Sequence, residues 1–260
     1  MSTVSLQQRI TAINFRLVLF GLFGLVFLAL SLPALLEPMT FWTGIVLGDY
    51  LYPSHELHHL VLGSVFPILL LGVLVQVYRP SERVGALHTS LIIWASLVIV
   101  FAIGGEFSPI QVVLFGLLVG MAITHPAGKG QLPTLDAVNG VTIAVAALTA
   151  IGALALAGTE LHSHLFVNDD HVGFDHYLFM ATTGMSIAAL ALYGSLRGIG
   201  WRFPLYSAAF LLFVIGAGSV IYPGAEQGSS LGVVLGIFVI LWAFVLVGLV
   251  ERGEMVLERI

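Results

Sequence analysis

The sequence contains no cysteine among its 260 residues. This absence excludes disulfides, thiolate metal sites, iron–sulfur clusters and catalysis by a cysteine nucleophile. Charge is also scarce, because Asp, Glu, Lys and Arg make up 9% of the chain, whereas soluble globular domains carry about 25%. Any metal ion would therefore be bound by nitrogen and oxygen, in a protein with too little charge to cover a soluble surface.

The sequence consists largely of long apolar segments. It is 58% hydrophobic with a mean hydropathy of +1.04, and a helix needs about 20 apolar residues to cross a bilayer. We expect an all-α integral membrane protein with eight transmembrane helices and no soluble domain. The apolar runs cover approximately residues 15–36, 57–78, 87–104, 109–124, 136–157, 176–196, 204–222 and 231–250.

The basic residues predict the orientation. Lys and Arg are retained on the cytoplasmic side of membrane proteins, and the eight predicted spans place all nine of them on one side. These residues are Arg9, Arg16, Arg79, Arg83, Lys129, Arg197, Arg202, Arg252 and Arg259. We therefore predict cytoplasmic termini and a multi-pass protein of a prokaryotic-type inner or cell membrane. The predicted spans hold no charged residue deep in the hydrocarbon, which argues against an ordinary ion-coupled transporter.

The two halves of the chain resemble each other in layout. His59 is followed by Arg79 after 20 residues, and His176 is followed by Arg197 after 21. Four spans per half would make the repeat parallel, with a pseudo-twofold axis along the membrane normal. We predict two four-helix repeats, residues 1–130 and 131–260, which together form one membrane domain.

A histidine cluster carries the main chemical hypothesis. Seven of the nine histidines fall on the predicted extracytoplasmic side, and neutral imidazole is the commonest metal ligand. They are His55, His58, His59, His162, His164, His171 and His176. Glu56, Glu106 and Asp175 are the candidate carboxylate ligands, proton donors or acceptors. We expect an outer transition-metal site for zinc, copper or iron.

The spacing His55-x2-His58-His59 resembles one histidine box of membrane di-iron desaturases and hydroxylases, and His171-x4-His176 resembles another. That family has a third box of the H-x2-H-H kind, which this sequence lacks. Its boxes also face the cytoplasm, whereas the basic residues place these on the outer side. The sequence is therefore not assigned to that family.

A second hypothesis is a membrane electron carrier with haem b held by pairs of histidines. His88 and His125 would form a pair near the inner face, and His59 with His176 a pair near the outer face. A third is a membrane scaffold without a cofactor, whose histidines are solvated. For partners we expect the lipid bilayer and a lipid-soluble or small-molecule ligand at the outer face. We expect no nucleic acid, because the outer surface is acidic.

Overall fold

A computed structural model of the chain describes residues 6–47, 54–128 and 139–257, and the regular secondary structure of these residues is entirely helical. Single 3-10 turns at Val75–Val77, Pro80–Glu82 and Ala225–Gln227 join some of the helices. The helices are α1 (Leu6–Leu47), α2 (Glu56–Leu74), α3 (Val84–Gly104), α4 (Pro109–Thr124), α5 (Gly140–Phe166), α6 (Asp170–Gly173), α7 (His176–Ser195), α8 (Arg202–Ile221) and α9 (Gly232–Leu257).

Seven of these helices are long and apolar enough to cross a membrane, namely all except α4 and α6. This confirms a helical protein of membrane type. α4 is apolar but has 16 residues, which span about 24 Å of a hydrocarbon core about 30 Å thick. Local sequence signals determine where α4 begins and ends: Ser108 and Gln111 form a capping box at its start, and Pro126 follows its end. The eighth crossing therefore stays a prediction.

Two other elements differ from the predicted spans. α1 continues to Leu47 through Pro33 and Pro38, beyond the predicted end at residue 36. α5 ends at Phe166 and not near residue 157. The segment with His162 and His164, expected to be a loop, is therefore the last two turns of a helix.

Four helices form the centre of the bundle. α2 packs on α3 and α7 packs on α8, and the two pairs meet through α3 against α7 and α2 against α8. α1 and α4 lie on the first pair, and α5 and α9 lie on the second. In α2 and α7, 72% of the most apolar window is buried, against 22% in α1 and α9. The central helices are thus shielded, and the outer ones present apolar side chains to their surroundings.

Close approach of α5 and α7 depends on small residues. A Cβ atom added to Gly184 of α7 would lie 2.6 Å from the carbonyl oxygen of Ala153 on α5. Such a distance is well inside van der Waals contact, so no larger residue fits without moving a helix. Small residues at helix interfaces are the usual means of tight packing in membranes.

The bundle has two chemically different ends. α2 and α7 both begin at one end, here called the histidine end, with His55 at the start of α2 and His176 at the start of α7. Their other ends lead to arginines at the opposite or arginine end, where Arg197 donates to the carbonyl of Val250 and Arg202 pairs with Glu251.

Each end also contains two non-glycine residues with left-handed backbone. Ser54 (φ 75°) and Asp175 (φ 57°) precede the histidine starts of α2 and α7, and Arg79 (φ 50°) and Arg197 (φ 55°) follow the other ends of the same helices. Such conformations cost about 1–3 kcal/mol each and persist where the surrounding structure requires them. At the histidine end, the turns at Ser54 and Asp175 redirect the chain sharply into α2 and α7, so that the histidines at the start of each helix point into the bundle.

Candidate metal centre

Five histidines meet at the histidine end, and we call this group the histidine centre. The ring centroid of His55 lies 4.5 Å from that of His171 and 4.7 Å from that of His176. His58 lies 4.9 Å and 4.8 Å from the same two rings. His59 lies at the edge of the group, 5.1 Å from His176. All five side chains are buried, with at most 7% of each residue exposed.

Three chain segments bring these rings together. His55, His58 and His59 lie on one face at the start of α2 because of their three- and four-residue spacing. His171 lies on the short helix α6, whose start is capped by the Asp169 carboxylate accepting from the backbone N–H of Val172. The left-handed turn at Asp175 then redirects the chain into α7, which carries His176 inward.

The tautomer of His58 follows from its hydrogen bonds. The hydroxyl of Ser229 donates its single proton to Glu160, with 2.6 Å between the oxygens. The same hydroxyl lies 2.8 Å from Nε2 of His58, so it accepts and Nε2 carries the proton. Nδ1 of His58 is therefore left with a lone pair, and it is buried without a hydrogen-bond partner.

His171 is arranged in the same way. Its Nε2 lies 3.1 Å from the carbonyl oxygen of Ser54, which can only accept. Its Nδ1 is buried without a hydrogen bond and faces carboxylate oxygens of Asp169 at 3.5 Å and Asp170 at 3.3 Å. A lone pair that faces carboxylates calls for a cation between them, which is either a proton or a metal ion.

The third member is His55. Its Nε2 donates to the Asp170 carboxylate at 3.2 Å, so its Nδ1 accepts from Nδ1 of His176 at 2.8 Å. Ligand nitrogens of His55, His58 and His171 all lie within 4.8 Å of one another. Nitrogens about 2.1 Å from a tetrahedral ion are about 3.4 Å apart. The rings would need to close by about an ångström around a metal.

The carboxylates of Asp169 and Asp170 lie on the solvent side of this trio. With His171 they form a second group that could hold a metal ion. The hydrogen bond from His55 is the main reason why the pKa of Asp170 is lowered, so this carboxyl group stays ionised. Asp169 accepts a hydrogen bond of 2.7 Å from the Tyr177 hydroxyl. Both carboxylates thus lie against the histidine centre, with oxygens 3.5 Å and 3.3 Å from Nδ1 of His171.

Other predicted site residues lie outside this group. His162 is exposed and its ring contacts Phe166, whereas His164 is buried with an unpartnered Nδ1 near Gly104. Neither has a ring contact with the histidine centre within the described residues. Glu56 accepts a hydrogen bond from Gln227, so it helps to hold the start of α2.

Glu106 and Asp175 form a separate acidic pair. Burial, and secondly the neighbouring charge of Glu106, raise the pKa of Asp175. Neither residue belongs to the candidate metal groups found among the described residues.

The predicted inner haem pair has other partners. His88 bonds through Nδ1 to the hydroxyl of Tyr193. His125 accepts from the backbone N–H of Ala127 at Nδ1 and donates from Nε2 to Gln76. Burial, with a smaller contribution from His88, lowers the pKa of His125 to about 4. The rings of the outer pair, His59 and His176, are in contact with each other, with 5.1 Å between their centroids.

Four contributors to the centre were absent from the predicted site: Asp169, Asp170, Glu160 and Ser229. The two aspartates directly precede His171, and that adjacency was a readable signal. Glu160 is 5% exposed inside α5, a helix long and apolar enough to cross a membrane, and a buried carboxylate in such a helix is by default a functional-site hypothesis. Ser229 offers no such signal, because its role depends on a contact with His58 across 171 residues.

A comparison of the chain with models of known protein families, with curated proteins and with solved structures finds no match. The chemistry of the histidine centre is thus the basis on which a function can be assigned.

Proposed function

We propose that the protein is an integral membrane protein that binds a transition-metal ion through His55, His58 and His171. One observation carries this proposal: the hydrogen bonds of all three rings place the proton on Nε2. The Nδ1 lone pairs of His58 and His171 are then buried without a hydrogen-bond partner. An unpaired buried polar atom costs about 1–3 kcal/mol, and a metal ion removes this cost at both rings. At His55 the metal would replace the hydrogen bond that Nδ1 accepts from His176.

The ligand set favours zinc, copper or iron over calcium or magnesium. Imidazole suits these transition metals, whereas calcium and magnesium prefer oxygen. Three protein nitrogens leave a fourth position for water or a substrate, as in catalytic zinc sites. Asp170 bonded to His55 and Ser229 bonded to His58 resemble the supporting groups that orient metal-binding histidines. Metal-assisted activation of water or dioxygen is the reaction class that this arrangement supports.

The placement in the membrane is part of the proposal. The histidine centre lies on the extracytoplasmic side, the arginine end is cytoplasmic, and α4 with its flanking residues completes eight crossings. The helix contacts support a parallel repeat that matches α1 to α4 with α5, α7, α8 and α9. Under that correspondence the contact of α3 with α7 becomes that of α8 with α2, and both contacts occur.

The test is metal content. The protein would be purified in mild detergent without an affinity His-tag, reloaded separately with zinc, copper and iron, and measured by mass spectrometry. We expect about one equivalent of one of these metals, lost in His58→Ala. His162→Ala is the matched control, because His162 is exposed and lies outside the histidine centre; it should retain the metal.

Other outcomes would overturn the proposal. No retained metal after reloading with each ion would leave a scaffold with hydrogen-bonded histidines. A red preparation with a sharp Soret band would instead establish haem.

A further inference from the structure

A cavity of about 450 Å³ begins beside the histidine centre and opens between α1 and α4. This volume lies within the range of small-molecule sites, roughly 300–1,000 Å³. His59 and His176 line its inner end, and Leu30 and Ile110, both about half exposed, line its walls on the apolar outer surface of the bundle. An entering molecule would therefore come from the lipid and reach the histidine centre.

The cavity is aromatic and uncharged. Its lining includes Phe66, Trp94, Phe101, Phe174 and Phe179, and none of its described lining residues is charged. Phe179 contacts Phe66 and Phe101 edge-on, with centroid distances of 5.9 Å and 5.1 Å. Aromatic rings attract other rings in offset or edge-on geometry. Without Lys or Arg, the lining offers nothing to a phosphate head group.

His176 supplies a specific polar contact. In the metal-free protein its Nδ1–H donates to His55, so its Nε2 carries a lone pair and makes no hydrogen bond within the described part of the chain. Two other polar groups of the lining are used inside the protein: Ser31 donates to the carbonyl of Phe27, and Trp94 donates to that of Gln111. The free acceptor at the inner end thus calls for a ligand with an O–H group.

We propose that this cavity binds a lipid-soluble molecule with a hydroxylated aromatic ring, of the phenol or quinol class, on an alkyl or isoprenoid chain. The ring lies among the aromatic side chains with its hydroxyl donating to His176, and the chain extends toward the lipid. The inference deepens the proposed function by naming the ligand class at the same site. It rests on the metal centre for its purpose but not for binding.

The experiment uses 2-bromo-4-octylphenol, whose bromine quenches tryptophan fluorescence on contact. Titration into the metal-free full-length protein in detergent should give saturable quenching, and Trp94→Phe should remove most of it. The methyl ether of the same compound keeps ring, bromine and chain but cannot donate a hydrogen bond. We expect it to bind about tenfold more weakly, the value of one net hydrogen bond.

Two variants locate the hydroxyl contact. His176→Leu should abolish the preference for the phenol over the ether, whereas His162→Leu should preserve it. Non-saturable quenching, or equal binding of phenol and ether by the wild-type protein, would overturn the proposal and indicate a groove filled by lipid chains. His58→Ala separates this result from the metal hypothesis, because it should lose the metal but keep the phenol preference.

Discussion

Ser229→Ala is the most discriminating single change in the histidine centre, because Ser229 contacts no metal in the proposed arrangement. Its hydroxyl determines which nitrogen of His58 carries the proton, by donating to Glu160 and accepting from Nε2. Without the hydroxyl, the His58 proton can move to Nδ1 and compete with the metal. Loss of a group that orients a metal-binding histidine typically lowers metal affinity about 10- to 100-fold.

The same substitution also affects the metal-free protein. Two buried groups, Nε2–H of His58 and the Glu160 carboxyl, lose their partner, and each costs about 1–3 kcal/mol. The thermal midpoint in detergent should therefore fall, and added metal should recover part of the loss. Ser229→Thr keeps the hydroxyl and should restore both properties. Ser230→Ala is the neighbouring control, since the Ser230 hydroxyl bonds to backbone groups, donating to the carbonyl of Tyr222 and accepting from the N–H of Gly232.

The assay is competition for zinc or copper against a chromophoric chelator, with the amount of bound metal checked by mass spectrometry. Folded Ser229→Ala with an affinity within about twofold of wild type would refute the tautomer argument. It would do so even if His58→Ala had lost the metal, because His58 would then bind without being oriented by Ser229.

Three further predictions concern pH, packing and orientation. The pKa of His125 is about 4 in the folded protein against 6.5 ordinarily, so the unfolded chain binds more protons between these values. The contribution of His125 to the free energy of unfolding should fall by up to about 3 kcal/mol as the pH drops through this window. If the thermal midpoint of His125→Gln fell with pH as much as that of the wild-type protein, this prediction would be wrong. Gly184→Ala should destabilise the protein by about 1–3 kcal/mol and so lower its thermal midpoint, whereas Gly152→Ala, with open space around Gly152, should not. Equal midpoints for the two variants would refute tight packing of α5 against α7 at Gly184. Glu106→Cys should react with an impermeant maleimide on intact cells and Arg83→Cys only after lysis, against no background from a cysteine-free chain; the reverse pattern would invert the orientation.

The helices of membrane length were predictable, because a helix that crosses a bilayer needs a long apolar run whatever its neighbours are. α4 has the predicted bounds, 109–124, but its 16 residues make it shorter than the helices of membrane length, because the capping box at Ser108 and Pro126 after its end limit it. Hydrophobicity reports where a segment can be buried, and it does not report how far a helix continues.

The candidate site divides in a similar way. The spacing of His55 and His58 on α2 predicted a shared face, and the structure brings both to His171. His162 and His164 were predicted as further ligands from the loop between the fifth and sixth spans, and the sequence left open whether the outer histidines form one site or two. On a helix, residues two apart point about 200° from each other, so the two cannot face one site.

The dependence of His58 on Ser229 has a consequence for how the protein is made. The two residues are 171 positions apart, and ribosomes add about 5–20 residues per second. For about 10–35 s, the nascent chain therefore exposes His55, His58 and His59 before Ser229 exists to orient them. A metal ion captured early would meet an imidazole in either tautomer and with few fixed neighbours. For the proposed metal site, correct loading would therefore have to follow synthesis of the segment that leads into α9, so that metal binding would be a late step in the biogenesis of this protein.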